Sequence, residues 1–370
     1  MNPVSETELS EAIAAARGPL RIVGGGTRPV GNPVQGAPLQ MAGLSGVVEY
    51  EPGALTLVAK AGTPLSDLEA LLASEGQRLA FEPMDHCGLL RTQGASTIGG
   101  IVAANVSGPR RIAAGAARDF LLGVRFVDGT GRILKNGGRV MKNVTGYDLV
   151  KLIAGSRGTL GVLSEVSFKV LPKPETAACL VFRGLDEPTA VAALTVALTS
   201  PFEVTGAAHI RGETRLRIEG FAGSVVYRAK ALEELLAEFG EAELLREPDQ
   251  IDALWREVRD VVPFHAAGGD VWRVSVKPTQ GPEVAAALRA HGAKDVIFDW
   301  GGGLLWALAP EGTDLRAVPV QGHATLVRAD DATKARLGVF QPEPPPIQKI
   351  SQGLRDKFDP RGILNPGLMG

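Results

Sequence analysis

Three clusters of glycine and other small residues constrain this chain most strongly, because such segments present backbone rather than side chains to their surroundings. They lie at residues 24–31 (GGGTRPVG), 94–108 (GASTIGGIVAANVSG) and 155–162 (GSRGTLGV). Glycine accounts for 46 of the 370 residues, roughly 12% against about 7% in average proteins. Excess glycine that is clustered rather than periodic excludes a collagen-like fibre and indicates loops that approach a ligand closely.

The first cluster follows a short apolar run, residues 20–23, which predicts a β-strand. It is not a P-loop, because no Gly-Lys-Ser/Thr follows, and it lacks the third glycine of a Rossmann turn. Pro29 and Pro33 also disfavour the helix that a Rossmann turn would begin. What remains is a strand followed by consecutive N–H groups, an arrangement that binds anions. A flexible turn is the alternative, but three backbone-lined loops together suit one long ligand.

Composition excludes several classes of protein. Hydrophobic residues make up 45% of the chain and charged residues 22%, which is typical of a globular protein and not of a disordered one. The net charge of −2 argues against nucleic-acid binding. Two cysteines are too few for a disulfide framework and favour a reducing compartment. The sequence shows neither a secretory signal nor a membrane span, so we expect a cytoplasmic protein that could still dock on a membrane-bound partner.

The pattern of elements divides the chain into a glycine-rich first part and a second part that alternates strands with helices. The second part predicts an antiparallel sheet backed by helices. Pro172-Lys173-Pro174 predicts a linker, and four prolines between residues 342 and 346 predict a stiff connector before a last helix. We therefore expect an α+β fold in three units: residues 1–172, a smaller α+β cap domain at 173–340, and a C-terminal helix and tail at 341–370.

A family resemblance covers the whole chain and is strongest from residue 21 to residue 172. It rests on the runs GGGTRPVG, GASTIGG, ANVSGPRR, GSRGTLGVLSEVSFKVLP and FDPRGILNPG. These runs resemble the FAD-binding family of vanillyl-alcohol oxidase, p-cresol methylhydroxylase (PCMH) and the FAD-linked dehydrogenases of 2-hydroxy acids. Within that family, residues 107–165 are similar to the shorter FAD-binding E subunits of bacterial glycolate oxidases. The resemblance implies a PCMH-type FAD-binding domain of two subdomains, followed by a cap domain over the isoalloxazine ring.

The resemblance also implies which residues hold FAD. The first loop is expected to cradle the pyrophosphate, and the second to follow the ribityl chain and the phosphates. Residues 107 and 108 are expected near the ring or ribityl end, and residues 161 and 162 near the nucleotide end. The residues assigned in this way are Gly24, Gly25, Gly26, Thr27, Arg28, Gly94, Ala95, Ser96, Thr97, Ile98, Gly99, Gly100, Ser107, Gly108, Gly161 and Val162.

The mode of FAD attachment follows from the same comparison. Many relatives tether FAD through a His or Cys in the first loop, where this chain has Thr27, so we expect non-covalent FAD. The nearby pair His86-Cys87 is interpreted as local packing. The histidines form no His-x-His or His-x-x-x-His pair, so no metal site is expected.

Catalytic residues are not evident from the sequence. Arg259, with His265 and Trp272, could face the flavin, although an ordinary structural role is the favoured interpretation. For Arg110-Arg111 a solvated or structural role is favoured over phosphate contact or subunit docking. Two tryptophans flank a run of three glycines, WGGGLLW at residues 300–306, and favour a core hairpin over a flavin-facing or subunit-facing role.

The resemblance implies an FAD-binding subunit of a glycolate oxidase or dehydrogenase complex, which oxidises glycolate or related 2-hydroxy acids. An accessory or electron-relaying role is expected, because the cap is short and shows no acid–base pair. The expected partners are a catalytic flavin subunit and an iron–sulfur subunit, since two cysteines cannot hold a four-cysteine cluster. The alternatives are a stand-alone FAD-dependent oxidoreductase acting on a small hydroxy acid or alcohol, and a non-catalytic assembly subunit with structural FAD.

Overall fold

The computed structural model describes residues 1–139 and 146–370, and it confirms the mixed α+β fold expected from the sequence. The helices of the first part are α1 (Glu6–Ala15), α2 (Leu65–Ser74), α3 (Cys87–Leu90), α4 (Ile98–Ala104), α5 (Arg111–Ala114), α6 (Ala117–Phe120) and α7 (Leu149–Ile153). Its strands are β1 (Leu20–Val23), β2 (Ala37–Gln40), β3 (Val47–Glu51), β4 (Thr56–Lys60), β5 (Gln77–Arg78), β6 (Leu121–Val127), β7 (Ile133–Gly137), β8 (Val162–Lys169) and β9 (Leu171–Pro172).

The helices of the second part are α8 (Glu187–Thr199), α9 (Ala222–Leu235), α10 (Pro248–Arg259), α11 (Gly281–Ala290), α12 (Asp331–Leu337) and α13 (Pro345–Phe358). Its strands are β10 (Thr176–Arg183), β11 (Val204–Ile210), β12 (Glu213–Gly220), β13 (Glu243–Leu245), β14 (Asp270–Ser275), β15 (Asp295–Asp299), β16 (Leu304–Ala309) and β17 (His323–Arg328). The division into units at residues 172 and 340 stays a prediction.

The first part is built on an antiparallel sheet in the order β3-β4-β8-β6-β7, and β1 and β2 form a separate parallel pair. Strand β8 is buried along most of its length, which requires cover on both faces of the sheet. Its Phe168 stacks on Phe81 with ring centroids 5.7 Å apart. The cluster at 155–162 leads into β8 and the cluster at 24–31 follows β1, so strands anchored in the fold hold one end of each loop.

The second part contains an antiparallel sheet in the order β13-β10-β12-β11-β15-β16-β14-β17. Helix α10 buries Ile251, Trp255 and Val258 on one face. These side chains belong to a hydrophobic core that also contains Phe81 and Phe168 of the first part. The two parts therefore pack on one continuous core.

A buried ion-pair network also joins the two parts. Glu82, before α3, accepts hydrogen bonds from both terminal nitrogens of Arg217 on β12, at 3.0 and 2.9 Å. Glu219, on the same strand, binds Arg110 and Arg78 of the first part, with closest distances of 2.9 and 2.8 Å. Each carboxylate is therefore shared between guanidinium groups. This pairing offsets the cost of burying a charge in the low dielectric of the interior.

The C-terminal tail returns to the first strand. The N–H of Leu20 donates to the carbonyl of Ile363 at 2.7 Å, and the N–H of Asn365 donates to the carbonyl of Leu20 at 3.0 Å. Residue 364 thus forms a parallel bridge with residue 20. Within the described ranges, no helix combines the length and the apolar character that crossing a membrane requires.

Candidate functional site

A cavity of about 520 Å³ lies where the three glycine clusters meet. Its walls come from the loop after β1, the start of α4, the segment before β8 and the C-terminal tail. The volume falls within the range of about 300–1,000 Å³ that is usual for ligand pockets. The structure therefore brings together loops that are far apart in the sequence around one elongated space.

The first two loops hold each other in place through direct backbone contact. A Cβ atom on Gly25 would lie 1.6 Å from the carbonyl oxygen of Ala95, and one on Gly94 would lie 2.5 Å from the carbonyl oxygen of Gly25. The hydroxyls of Thr27 and Ser96 are 3.0 Å apart and hydrogen-bonded. Glycine at position 25 is therefore required by the neighbouring loop, whereas the sequence argument had attributed it to the approach of a phosphate.

Gly26 has the open side that a bound group needs. It lines the cavity with a φ of +72°, and a Cβ built on it meets no atom within 4 Å. In the described part of the chain, the backbone N–H groups of residues 24–28 donate to no protein acceptor. Unpaired backbone donors along a cavity wall fit an anionic group such as a pyrophosphate.

The third loop and the tail form the opposite wall. Asn365 accepts a hydrogen bond from the N–H of Ile22 at 2.8 Å and donates to the carbonyl of Arg157 at 2.9 Å. It therefore links strand β1, the third glycine cluster and the tail. Gly161 also lines the cavity. A Cβ atom on Gly161 would lie 2.5 Å from the ring of Phe126, so glycine leaves room for that ring.

The structure places most of the predicted residues on the wall of this first cavity. These are Gly24, Gly25, Gly26, Thr27, Arg28, Ser96, Thr97, Gly99, Gly100, Gly161 and Val162. Gly94, Ala95 and Ile98 belong to the same second loop and support it from behind. Ser107 and Gly108 line a second, adjacent cavity. Contact between any of these residues and FAD stays a prediction.

The second cavity, about 180 Å³, adjoins the first. Arg28, His86, Ala104 and Arg157 line both spaces. The remaining wall is mainly polar and comes in similar measure from the first and the second part of the chain. It includes Ser107, Gly108, Arg111, Arg259, Arg273, Asp299, Trp306 and Thr325.

Positive charge dominates the boundary between the cavities. Burial lowers the pKa of Arg28, and the nearby Arg157 and Arg273 lower it further. Burial also lowers the pKa of Arg157 and that of Arg273 to about 10 each. In the described residues none of these three arginines has a carboxylate within 4 Å. A cluster of buried arginines without carboxylates is electrostatically unfavourable, and a bound anion would stabilise it.

His86 is neutral in this setting. Burial and the charge of Arg28 hold its pKa well below the usual range. The Nε of Arg28 donates to Nε2 of His86 at 3.0 Å, so the imidazole proton lies on Nδ1. The interpretation of His86 as local packing is therefore incomplete, because its ring lines both cavities and orients a cavity arginine.

Asp299, at the end of β15, is the one carboxylate among the described residues that line the second cavity. It is 3% exposed, and its Oδ1 accepts a hydrogen bond from the N–H of Trp300 at 2.7 Å. Burial, opposed by that hydrogen bond, raises its pKa to about 7. A carboxylate with such a pKa can accept or release a proton near neutral pH.

The structure refines several expectations from the sequence. Arg110 has the structural role and not the solvated one, since it lies in the buried network with Glu82 and Glu219. Arg259 lines the second cavity but is paired with Asp260 at 2.7 Å, whereas Arg273 lines the same cavity with no carboxylate within 4 Å among the described residues. Trp306 packs in the core, as the hairpin interpretation expected.

Trp300 instead reaches the first part of the chain. Its Nε1 donates to the carbonyl of Gly108 at 3.1 Å. The sequence did single out the Trp300 turn and the GSRG run that holds Arg157. The sequence offered no signal that Arg273 and Asp299 would lie close to the Trp300 turn and to Arg157.

Comparisons with known proteins agree with this geometry. Residues 1–137 match the model of the FAD binding domain family. The chain is 36% identical to glycolate oxidase subunit GlcE of Escherichia coli over 367 residues, which cover 98% of this chain and 95% of that protein.

Solved structures show the same fold. An alkyldihydroxyacetonephosphate synthase superposes with a TM-score of 0.72 at 18% identity, over 99% of this chain and 75% of the other. A p-cresol methylhydroxylase superposes with a TM-score of 0.67 at 13% identity, over 100% and 88%.

The fold and the cavity define an FAD-linked oxidoreductase with an N-terminal FAD-binding domain of the PCMH type. Within that class, the chain belongs to the family of glycolate oxidase subunit GlcE, which confirms the family suggested by the sequence motifs.

Proposed function

We propose that this chain binds FAD non-covalently in the first cavity and acts as the FAD-binding subunit of a complex that oxidises glycolate to glyoxylate. The observation that carries the proposal is the loop at residues 24–28, whose N–H groups are unpaired in the described residues and whose Gly26 is open to the cavity. Bound FAD would supply an acceptor for two electrons from the alcohol. The chain's own residues would bind its phosphates and keep the flavin beside the second cavity.

Non-covalent attachment is supported by the state of the nucleophiles near the cavity. Nε2 of His86 accepts the hydrogen bond from Arg28, so the lone pair that would attack a flavin is occupied. Cys87 does not line the first cavity, and burial raises the pKa of its thiol. The thiolate that would attack a flavin is therefore scarce at neutral pH.

The partners in this proposal are a catalytic flavin subunit and an iron–sulfur subunit. Similarity to a protein named as an oxidase subunit supports a heteromeric complex. Cys87 and Cys179 are the chain's two cysteines, and Cys179 is fully buried. Electrons that reach the flavin of this chain must therefore leave through another protein or a soluble acceptor.

The second cavity favours a second candidate, in which this chain oxidises a small hydroxy acid on its own flavin. Arg273 and Asp299 offer a cation and a proton acceptor beside the first cavity. The two candidates differ in whether substrate reduces this flavin without partners.

The test is to express the chain alone and together with the products of its neighbouring genes, and to purify both preparations. We expect FAD in both and glycolate-dependent reduction of an artificial acceptor chiefly in the complex. Absence of FAD from the chain would refute the proposal. Turnover by the isolated chain as fast as by the complex would establish the stand-alone candidate.

A further inference from the structure

An exposed apolar patch, here called the α9 patch, lies at the start of helix α9. Phe221, Val226 and Tyr227 form it, and they are 79%, 56% and 67% exposed. They lie within about 9 Å of one another along the helix axis. Phe202 extends the patch, since its ring meets that of Tyr227 edge-on with centroids 6.4 Å apart. A whole aromatic side chain offers about 150–250 Å², so the two exposed rings alone present on the order of 300 Å². An apolar patch of this size is often a binding surface.

Phe221 occupies the N-cap position of α9, where it stabilises the helix poorly. An N-cap favours Ser, Thr, Asp or Asn, whose side chain accepts a hydrogen bond from the first turn. The chain follows that rule at α8 and α12, which are capped by the side chains of Asp186 and Asp330. Phe221 makes no such bond, although its φ of −69° and ψ of 142° suit a capping residue. A local rule that is broken at an exposed position indicates a role outside the fold.

Helix α9 lies on the face of its sheet that is turned away from the first part. On β12, Leu216 and Ile218 pack in the same hydrophobic cluster as the buried face of α9. The alternate residues Arg217 and Glu219 point the other way, into the ion-pair network with the first part. Within the described residues, the walls of the two cavities do not include the α9 patch. A partner bound to the patch would therefore leave the nucleotide site open.

The exposed charged side chains around the α9 patch are mainly acidic. They are Glu175, Glu203, Glu234 and Glu238, and Lys230 lies among them. Glu203 pairs with the buried Arg228, yet its side chain remains 81% exposed. Lys230 is balanced by Glu234, 3.8 Å away. The surface that complements this patch is therefore apolar at its centre and basic at its rim.

We propose that the α9 patch is the docking surface for another subunit of the oxidase complex, one that presents an apolar face rimmed by lysine or arginine. The inference rests on the proposed function, which makes this chain one subunit of a heteromeric complex. Aromatic side chains at the centre and charges at the rim are typical of protein interfaces. Two copies of this chain would bring their acidic rims together, and an anionic lipid surface would be repelled by the same rim.

The test measures how tightly the FAD-loaded chain binds the purified products of its neighbouring genes. Phe221→Ser and Tyr227→Gln remove the aromatic rings, and each should weaken the complex by about tenfold or more, as the loss of a central aromatic anchor does. Both variants should keep wild-type FAD content. Ile350→Gln is the matched control, because Ile350 is 61% exposed on another helix, α13, and it should leave the affinity unchanged. Equal losses in the patch variants and the control would overturn the proposal.

Phe221→Ser also separates docking from folding. Serine supplies the capping hydrogen bond that phenylalanine lacks, so the unfolding temperature of the isolated variant should equal or exceed that of the wild type. The same variant should bind the partner more weakly. A fall in stability that accompanies the loss of binding would show that Phe221 supports the fold, and would contradict its role as a docking residue.

Glu234→Lys tests the acidic rim. Glu234 is 70% exposed on α9, and its reversal should slow association with the partner by about threefold or more at low salt. Glu11→Lys is the control, because it makes the same change in net charge at an exposed position of α1. Equal slowing in both variants would show that only net charge matters. Faster association of Glu234→Lys would show an acidic partner face, and either result would overturn the charge complementarity.

The remaining outcomes identify a different occupant or separate this inference from the proposed function. A wild-type dimer that Phe221→Ser dissociates would assign the patch to a second copy. Binding to vesicles of phosphatidylcholine and phosphatidylglycerol that the same variant abolishes would assign it to a membrane. Full affinity in the double variant Phe221→Ser/Tyr227→Gln would overturn the docking surface and leave the proposed function intact. Failure of the wild-type chain to bind any of the products would overturn both the docking surface and the heteromeric complex, whereas FAD content tests the cofactor independently.

Discussion

The backbone at Gly25 passes so close to Ala95 that a Cβ on the glycine would lie 1.6 Å from the alanine carbonyl oxygen. The contact joins the first two glycine loops at the wall of the main cavity. Gly26, the next residue, has no atom within 4 Å of its Cβ position. Neighbouring glycines therefore serve different purposes, one for packing between loops and one for access to the cavity.

The glycine pair gives a first prediction. Gly25→Ala should disrupt the contact between the loops and lower both stability and FAD binding, because the clash is with backbone that cannot rotate away. Gly26→Ala should chiefly weaken FAD binding, with about 1–2 kcal/mol of backbone strain from its positive φ. Thermal unfolding and FAD titration measure the two effects.

Gly76→Ala is the matched control for that experiment. Gly76 has a similar φ of +63°, an open Cβ position and no place on the cavity wall. It should lose as much stability as Gly26→Ala while keeping full FAD affinity. Equal FAD affinity in both variants would show that Gly26 does not face the cofactor.

The second prediction concerns FAD attachment. Acid precipitation of the purified protein should release all of the yellow chromophore into the supernatant as FAD, since the Nε2 lone pair of the candidate nucleophile His86 is occupied by the hydrogen bond from Arg28. Chromatography of the supernatant and absorbance of the pellet are the measurements. Colour retained in the pellet would indicate a covalent bond, and FMN in the supernatant would contradict the cofactor.

The third prediction concerns the ion-pair network between the two parts. Glu82→Gln keeps the shape of the side chain but leaves the buried Arg217 without its bidentate partner. We expect a loss of about 3–5 kcal/mol in the free energy of unfolding. Glu203→Gln is the control, because Glu203 pairs with Arg228 but its side chain is 81% exposed, and it should cost about 1 kcal/mol or less. Similar losses in both variants would contradict a special role for the buried network.

The same network predicts the effect of acid. Burial alone would raise the pKa of Glu82, but the charges of Arg217 and Arg110 outweigh it and lower the pKa. Its stabilising contribution is therefore complete above the unfolded pKa of about 4.3 and is lost as the pH falls through the lower folded value. Urea unfolding from pH 7 to pH 3 should show the difference between wild type and Glu82→Gln shrinking at the acidic end. A difference in stability that stays constant from pH 7 to pH 3 would exclude the ionisation of Glu82 as its cause.

The fourth prediction is dependence on partners for turnover. The isolated chain should oxidise glycolate slowly in the steady state, since the described residues offer no route for electrons beyond its flavin. A single anaerobic reduction of the flavin by glycolate separates chemistry from electron exit, and Asp299→Asn should slow that reduction. Fast steady-state turnover by the chain alone, with an artificial acceptor, would show that partners are dispensable.

The sequence predicted best those features of the fold that are marked by continuous runs of residues. The glycine clusters and the FDPRGILNPG tail are continuous runs, and the structure places part of each at the first cavity. Helix α10 is marked less clearly in the sequence, because charged residues fill most of its exposed face and few apolar positions mark it. The strand at His323–Arg328 is short and pairs at the edge of its sheet, so its pattern is also weak.

The second cavity could not be predicted because its chemistry is assembled from distant residues. Arg28, Arg111, Arg157 and Arg273 come from four separate segments, and nothing in their neighbours marks them as unpaired. The ion pairs of Arg110 could not be predicted for the same reason, since its partner Glu219 lies 109 residues away. Charge pairing depends on tertiary contact, which a single sequence does not contain.

The tail that returns to β1 has a consequence for biosynthesis. Asn365 completes the wall of the first cavity by bonding to Ile22 and to Arg157, so the pocket stays incomplete until the tail has docked on β1. Capture of the nucleotide in a complete pocket therefore waits for that docking. A newly made chain waiting for its cofactor would expose the glycine loops, and the supply of FAD would then govern how much of the protein survives proteolysis.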